Sequence, residues 1–170
     1  MTVGANLNAE QIITYSSAAI TLLLLIFAVN WRYFRDWVVA FLFMSILAIV
    51  LTSIVVKAGL ITYPFRLLPN SFDTSVLFDL WVFPTLCILY NQVARTGGVA
   101  AALFYAFLFS AGITALEAPM ELYTKLIEYV NWKWYYTFFG LTGAFLASRI
   151  FIAFYRWGCS LYSQSFMYRR

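Results

Sequence analysis

Acidic side chains inside apolar stretches are the residues of this sequence best placed to do chemistry. Asp79 interrupts the apolar stretch 74–94, and Glu117 and Glu121 stand near the end of the next stretch, 98–121. A carboxylate at the centre of a bilayer costs about 2.5–3.5 kcal/mol on insertion scales, and loss of water favours a neutral carboxyl that can donate a proton. We therefore take Asp79 and Glu117 as candidate catalytic residues and Glu121 as a candidate binding residue.

The same three acids also have a purely structural interpretation. Asp79 could cap a helix that is broken near Pro84, or bond a neighbouring tyrosine. Glu117 and Glu121 could be interfacial carboxylates at the end of a helix. Sequence alone leaves both interpretations open.

A row of small residues runs along the stretch that ends in Glu117. Such a row lets helix backbones approach closely inside a membrane, where lipid removes the hydrophobic drive between helices. At about 100° per residue, Glu117 falls within the arc of this row, so it is predicted to face the packing side. The row predicts that this helix is the centre of the bundle. Its members are Gly98, Ala102, Ala106, Ser110, Thr114 and Ala118.

The composition places these acids in a membrane protein. The chain is 64% hydrophobic, 21% aromatic and only 11% charged, with a mean hydropathy of +0.82. Its 170 residues accommodate five spans of about 20 residues with short connections. We predict an all-α polytopic membrane protein, one domain over residues 1–170, with five transmembrane helices and two short interfacial segments. The predicted spans are 12–29, 38–56, 74–94, 98–118 and 136–157.

Two stretches between the spans are predicted to lie in the interface. Residues 57–73 are short and carry Pro64 and Pro69, which favours an extended or one-turn segment held by Tyr63, Phe65 and Leu67. Residues 120–130 alternate apolar and charged faces at helical spacing, which predicts an amphipathic helix. After the last span, the polar segment that follows Trp157 is predicted to be a frayed tail.

Further polar and aromatic residues are predicted to lie in two layers. The outer layer would combine the acids with Arg66 and with aromatic walls, and the inner layer would hold Asn91 and Arg149. The structural alternatives are helix–helix hydrogen bonding for Asn91, an arginine that extends to the headgroups, and aromatic residues that only anchor the interface. The candidate binding residues are Arg66, Trp81, Tyr90, Asn91, Glu121, Trp132 and Arg149.

Several function classes are excluded or disfavoured by composition. The chain has no histidine, the commonest general base and a usual metal ligand, and three carboxylates offer fewer oxygens than hard cations take. We therefore predict no metal and no cofactor. The net charge of +4 is scattered along the chain, which argues against nucleic acid and for lipid headgroups as partners. A second row of small residues, Gly140, Ala144 and Ser148, offers a face through which a homo-oligomer could form.

The distribution of basic residues predicts an orientation. With the N-terminus outside and the C-terminus inside, the inner side carries more lysine and arginine than the outer side, as the positive-inside rule requires. The inner residues would be Arg32, Arg35, Arg95, Arg156, Arg169 and Arg170, against Lys57, Arg66, Lys125 and Lys133 outside.

Residues 55–155 carry a set of proline, aromatic and charged elements: Tyr63-Pro64, Arg66, Pro69, Asp79, Pro84, Asn91, Glu117 and Trp132-Lys-Trp. Through these elements the chain resembles a family of small, uncharacterised polytopic membrane proteins from spore-forming Firmicutes. The resemblance implies a bacterial plasma-membrane location and the five-span plan, and it brings no established activity.

Three functions stay open on sequence grounds. The first is a protein that binds a lipid, a small ligand or a membrane partner in an outer-leaflet pocket lined by Asp79 and Glu117. The second is a membrane enzyme that acts on an isoprenoid or other lipid by carboxyl acid catalysis, with aromatic faces stabilising cationic carbons. The third is a proton-coupled carrier in which the two acids relay protons toward Arg149, and it would require a dimer because five spans give no inverted repeat.

Overall fold

The computed structural model describes residues 3–66 and 73–167, with the side chains of residues 9–66 and 73–161. It is mostly helical, with helices α1 Val3–Phe27, α2 Phe34–Lys57, α3 Phe83–Val93, α4 Gly98–Tyr123 and α5 Trp134–Met167. Two short strands, β1 Ile61–Thr62 and β2 Glu128–Tyr129, pair antiparallel with Ile61 opposite Tyr129. The predicted α-helical architecture is confirmed, and the strand pair is an addition that the sequence did not indicate.

Among the described residues, four helices are long and apolar enough to cross a membrane, which is typical of a multi-pass membrane protein. Their apolar segments are Ala9–Phe27, Trp31–Lys57, Gly98–Tyr123 and Trp134–Leu161, with mean hydropathies of 1.6, 2.8, 2.0 and 1.6. The predicted span 74–94 is not among these four. Its place is taken by the short helix α3, which has 11 residues and follows directly on a five-residue π turn, Phe78–Val82.

The π turn has an identifiable cause in Pro84. A proline inside a helix lacks the N–H for the carbonyl four residues earlier and its ring clashes with that carbonyl. The chain avoids this conflict by widening one turn, so that the N–H of Phe83 donates to the carbonyl oxygen of Phe78, five residues back. Asp79 lies inside the widened turn. Such single π turns frequently occur at functional sites.

The third helical segment, the π turn with α3, is the centre of the bundle. It contacts α1, α2, α4 and α5, whereas α4 packs mainly on α5 and α3. The prediction that the helix with the small-residue row is central was therefore wrong. Helix α4 lies at the side of the bundle and still uses the small-residue row, because packing closely against a neighbouring helix needs small residues along one face only.

The inward direction of the α4 row is confirmed. Its buried residues are Ala102, Ala106, Ser110 and Thr114, and α5 supplies Phe145 and Ser148 to the same interior. The aromatic ring of Tyr90 on α3 packs against Phe145 with 5.1 Å between ring centroids. This cluster holds the three helices α3, α4 and α5 together.

The predicted amphipathic helix over residues 120–130 was wrong. Helix α4 continues through Pro119 to Tyr123, and the following backbone turns away to bond other segments. The N–H of Val130 donates to the carbonyl of Leu60 at 3.1 Å, and the N–H of Phe65 donates to the carbonyl of Lys125 at 3.1 Å. These long-range hydrogen bonds pair backbone N–H and C=O groups that a helix would have paired within the segment itself.

Two other predictions about connecting segments have mixed outcomes. The extended character predicted for residues 57–73 is confirmed at β1, while Leu67 and Pro69 lie outside the described residues. The predicted frayed tail after Trp157 was wrong, because α5 continues to Met167. Arg169 and Arg170 lie outside the described residues.

Candidate functional site

The charged residues separate into two ends of the bundle. The chain turns at residues 28–33 and 94–97 at one end and at 58–66, 73–75 and 124–133 at the other. Asp36 is the acid of the first end, which we call the arginine end because Arg32, Arg35, Arg95 and Arg156 lie there. The other six of the seven acids, Glu10, Asp73, Asp79, Glu117, Glu121 and Glu128, lie toward the second end, which we call the carboxylate end.

Asp79 is the most deeply buried acid of the carboxylate end, with 1% of its surface exposed. The hydroxyl of Thr52 on α2 donates to Asp79 Oδ1 at 3.1 Å. Within the described part of the chain, Oδ2 makes no hydrogen bond of normal geometry, and neither does the buried hydroxyl of Thr74, although that hydroxyl is close enough to act on the Asp79 carboxyl group. Buried polar atoms are nearly always hydrogen-bonded in folded proteins, so Asp79 carries an unused acceptor or donor position.

Glu117 lies at the centre of a hydrogen-bond network. Tyr129 on β2 donates from its hydroxyl to Glu117 Oε1 at 2.7 Å. The hydroxyl of Thr137 on α5 lies 3.4 Å from the same oxygen and accepts from the indole N–H of Trp132 at 2.8 Å. The carboxylate therefore joins α4, β2 and α5 at one point.

Tyr63, the residue that follows β1, lies between the two acids. Burial and the nearby charges of Asp79 and Glu117 together raise the pKa of Tyr63 well above its ordinary value. Burial and the charge of Glu117 also raise the pKa of Tyr129. Both phenols therefore stay protonated and can donate hydrogen bonds over the whole neutral range. We use the name carboxylate chamber for Tyr63, Thr74, Asp79 and Glu117, which together form a cluster of polar side chains.

Glu10 is a second fully buried acid beside Asp79, and sequence reasoning missed it. It lies on α1 with 2% of its surface exposed, and its Oε1 accepts a 2.8 Å hydrogen bond from the backbone N–H of Lys125. The two residues are 115 positions apart. The sequence held one weak signal for the burial of Glu10, which lies in the polar segment before the first span and four residues ahead of Thr14. The Thr14 hydroxyl donates to the backbone carbonyl of Glu10.

The aromatic residues predicted to wall one pocket do not come together. Trp132 contacts the Glu117 network through Thr137. Trp81 instead makes an edge contact with Phe41 of α2, with 6.2 Å between centroids. Tyr90 belongs to the core below, where its hydroxyl donates to the carbonyl of Ala102 at 3.2 Å. In the described structure these three rings therefore serve different parts of the fold.

Arg66 and Glu121 lie at the rim of the carboxylate end. Arg66 Nη1 contacts Asp73 Oδ1 at 3.0 Å, in an ion pair whose carboxylate side chain is 74% exposed. Glu121 is half-buried one helical turn beyond Glu117, and its charge acts on Tyr129. Exposed pairs of this kind contribute little to stability.

Toward the arginine end, Asn91 acts as a bridge between helices. Its side-chain N–H groups donate to the Cys87 carbonyl and to the hydroxyl of Ser148 on α5, both at 2.9 Å. Arg149 donates to the backbone carbonyl of Arg95 at 3.2 Å, so it is tied to the α3–α4 turn. The helix–helix interpretation of Asn91 agrees with this geometry.

The face predicted for a homo-oligomer is mostly used inside the chain. Ser148 is fully buried and Ala144 is 8% exposed. Gly140 is exposed, and a side-chain carbon placed on it would meet no atom within 4 Å. A second copy could therefore contact the helix at Gly140, and oligomer formation stays a prediction.

The described residues contain no group of three or more acidic or thiol side chains that could hold a metal ion. No family model, no curated protein and no solved structure matches this chain. The resemblance to a Firmicutes membrane-protein family therefore stays a prediction.

Proposed function

We propose that this chain is a small integral membrane protein that binds a lipid or a small ligand in the carboxylate chamber. One observation carries the proposal: Asp79 Oδ2 is buried among protein atoms and makes no hydrogen bond of normal geometry in the described structure, although the Thr74 hydroxyl is close enough to act on it. A natural sequence rarely leaves a buried carboxylate oxygen without a well-placed donor, because the desolvation cost is not offset. A ligand that donates a hydrogen bond at this position would offset it.

The chemistry of the chamber favours a ligand with both donor and acceptor groups. The carboxylates of Asp79 and Glu117 would accept from a hydroxyl or ammonium group, and the phenol of Tyr63 can donate in return. Tyr63 follows β1 and Tyr129 lies on β2, so the strand pair brings two phenols to these acids. A polar headgroup on an apolar body, as in a lipid or a lipid-soluble metabolite, suits a chamber set into an apolar bundle.

We also propose the membrane setting that the sequence predicted. The segment 76–93, with its π turn, would lie at membrane depth as a fifth span, shielded from lipid by its four neighbouring helices. The arginine end would face the cytoplasm, since Arg32, Arg35, Arg95 and Arg156 follow the positive-inside rule. The setting would be the bacterial plasma membrane, as the family resemblance implies.

The binding function is tested by identifying what co-purifies with the protein. The full-length chain and the variants Asp79→Asn and Glu117→Gln would be purified in a mild detergent, extracted and compared by mass spectrometry. The matched control is Asp73→Asn, which removes an acid at the same end of the bundle whose side chain is 74% exposed. We expect one class of molecule with the parent and the control, and its loss from Asp79→Asn. Equal extracts from all four proteins would refute the proposal.

A proton-coupled carrier is the second candidate, and a specific observation favours it. Between the two ends, the hydroxyls of Thr85, Ser110 and Thr114 are buried without a hydrogen-bond partner in the described structure, as is the side-chain oxygen of Asn91. A line of such groups could pass protons between the acids and the arginine end. Proton uptake by proteoliposomes that stops in Asp79→Asn would support a carrier. A proton flux equal to that of empty liposomes would exclude it.

A further inference from the structure

A cavity of about 330 Å³ opens at the arginine end, far from the carboxylate chamber. It lies between the start of α2 and the last part of α5 that has described side chains. Its lining includes Arg32, Tyr33, Arg35, Asp36, Tyr155 and Arg156. Three guanidinium groups and one carboxylate give this lining a net positive charge.

The single carboxylate is already used by one of the arginines. Nε and Nη2 of Arg156 both donate to Asp36 Oδ2, at 3.1 and 2.6 Å, and the carboxylate side chain is 16% exposed. This pair fixes the two helices at the back of the cavity. Arg32 and Arg35 are exposed, and no acid lies within ion-pair distance of either in the described chain. Their charges are therefore available to a ligand.

Backbone and neighbouring charges add to the positive field. The cavity is lined by Phe34, Arg35 and Asp36, the first three residues of α2, where the helix dipole is positive. Behind the cavity, the Arg95 guanidinium lies 3.2 Å from the centroid of the Tyr33 ring. That stacking holds the phenol in the wall and places a further positive charge close behind it.

Exposed aromatic side chains lie on the cavity lining or directly next to it in the sequence. Trp31 is 44% exposed, Phe34 is 56% exposed and Trp157 is 58% exposed. Aromatic residues of this kind concentrate at the level of lipid headgroups. A ligand that enters here would therefore have an anionic group in the cavity and an apolar part against the rim.

From these observations we propose that the arginine end carries a binding site for the phosphate of an anionic phospholipid. Arg32 and Arg35 would hold the phosphate oxygens, and Tyr155 would offer a hydroxyl. Basic pockets at the ends of membrane helices bind anionic headgroups in this way. The site is independent of the carboxylate chamber, since the two share no residue and lie at opposite ends of the bundle.

The test compares lipids and variants of the full-length protein in detergent. Phosphatidylglycerol and phosphatidylcholine would be titrated separately, and the bound lipid would be counted by native mass spectrometry. The test variant is Arg32→Gln with Arg35→Gln. The control variant, Lys57→Gln with Lys133→Gln, removes the same charge from exposed residues at the opposite end. Both single arginine variants are measured as well, so that the result does not depend on one protein preparation.

We expect phosphatidylglycerol to bind more tightly than phosphatidylcholine. At about 1 kcal/mol for each arginine, the double arginine variant should bind phosphatidylglycerol about thirtyfold more weakly, and the lysine control should bind it normally. Equal affinity for the two lipids, or equal losses in both double variants, would overturn the proposal. Inorganic phosphate is titrated in parallel, and binding of it as tight as that of the lipid would assign the site to a free anion and overturn the lipid assignment.

Discussion

The hydrogen bond between Tyr129 and Glu117 should contribute a measurable part of the free energy that holds the carboxylate end together. The variant Tyr129→Phe removes one hydroxyl and keeps the ring. The lost contact is short, at 2.7 Å, and its acceptor is a carboxylate, for which about 1.5–3 kcal/mol is usual. Side-chain hydrogen bonds in membrane proteins average only about 0.6 kcal/mol, because the unfolded chain in the membrane also finds partners.

Because of where this hydrogen bond lies, we expect its contribution to the free energy of unfolding to fall between these two values. Tyr129 lies on β2, outside the membrane-length helices, and Glu117 retains only the longer contact with Thr137 at 3.4 Å. We expect Tyr129→Phe to lower the free energy of unfolding by about 1–1.5 kcal/mol. In a double-mutant cycle with Glu117→Gln, the coupling energy should be about 1 kcal/mol.

The assay is reversible unfolding in mixed micelles with increasing dodecyl sulfate, followed by far-ultraviolet circular dichroism. The matched control is Tyr123→Phe, because Tyr123 is 82% exposed. The control should unfold like the parent protein. A coupling energy below about 0.3 kcal/mol, or an equal loss in the control, would refute a Glu117 network that joins β2 to α4.

Three further predictions concern alkaline pH, the ion pair of the arginine end and the bridge between α3 and α5. The pKa values of Tyr63 and Tyr129 are raised in the folded state, so the phenols of the unfolded chain release their protons first as the pH rises. The free energy of unfolding should therefore be level below about pH 10 and fall above it. Unfolding measured as a function of pH should show a less steep fall in Tyr129→Phe. Asp36→Asn should lower the melting temperature clearly and Asp73→Asn hardly at all, because the first carboxylate side chain is 16% exposed and the second 74%; equal shifts would contradict this. Asn91→Leu should cost about 1–3 kcal/mol in the same unfolding assay, since it leaves a buried hydroxyl without its donor, and an unchanged value would count against the bridge.

The parts of this fold that follow a helical period were predictable from sequence. Small residues every fourth position indicated the buried face of α4, and the same period put Glu117 on that face. Asp79 was predictable as a buried acid because the apolar stretch around it is continuous. In each case the signal is local, so a window of two or three turns contains it.

The parts that depend on distant contacts were not predictable. The pairing of Ile61 with Tyr129 involves strands of two residues, too short for any alternation pattern. Glu10 is buried by a backbone contact with Lys125, which no local pattern indicates. The π turn at Asp79 has a partial signal in Pro84, but a proline predicts a break or a kink more often than a widened turn.

If a ligand occupies the carboxylate chamber next to the strand pair, a disulfide that links the two strands should slow its release. Thr62 and Glu128 are opposite each other in the register, with 3.5 Å between their side-chain oxygens, so Thr62→Cys with Glu128→Cys should form a disulfide across β1 and β2. The measurement is the rate at which native mass spectrometry shows bound mass leaving the protein after dilution into fresh micelles. We predict that the molecule leaves slowly from the oxidised form and rapidly from the reduced form. Equal rates in the two forms, or no bound molecule in either, would contradict a ligand chamber at this end.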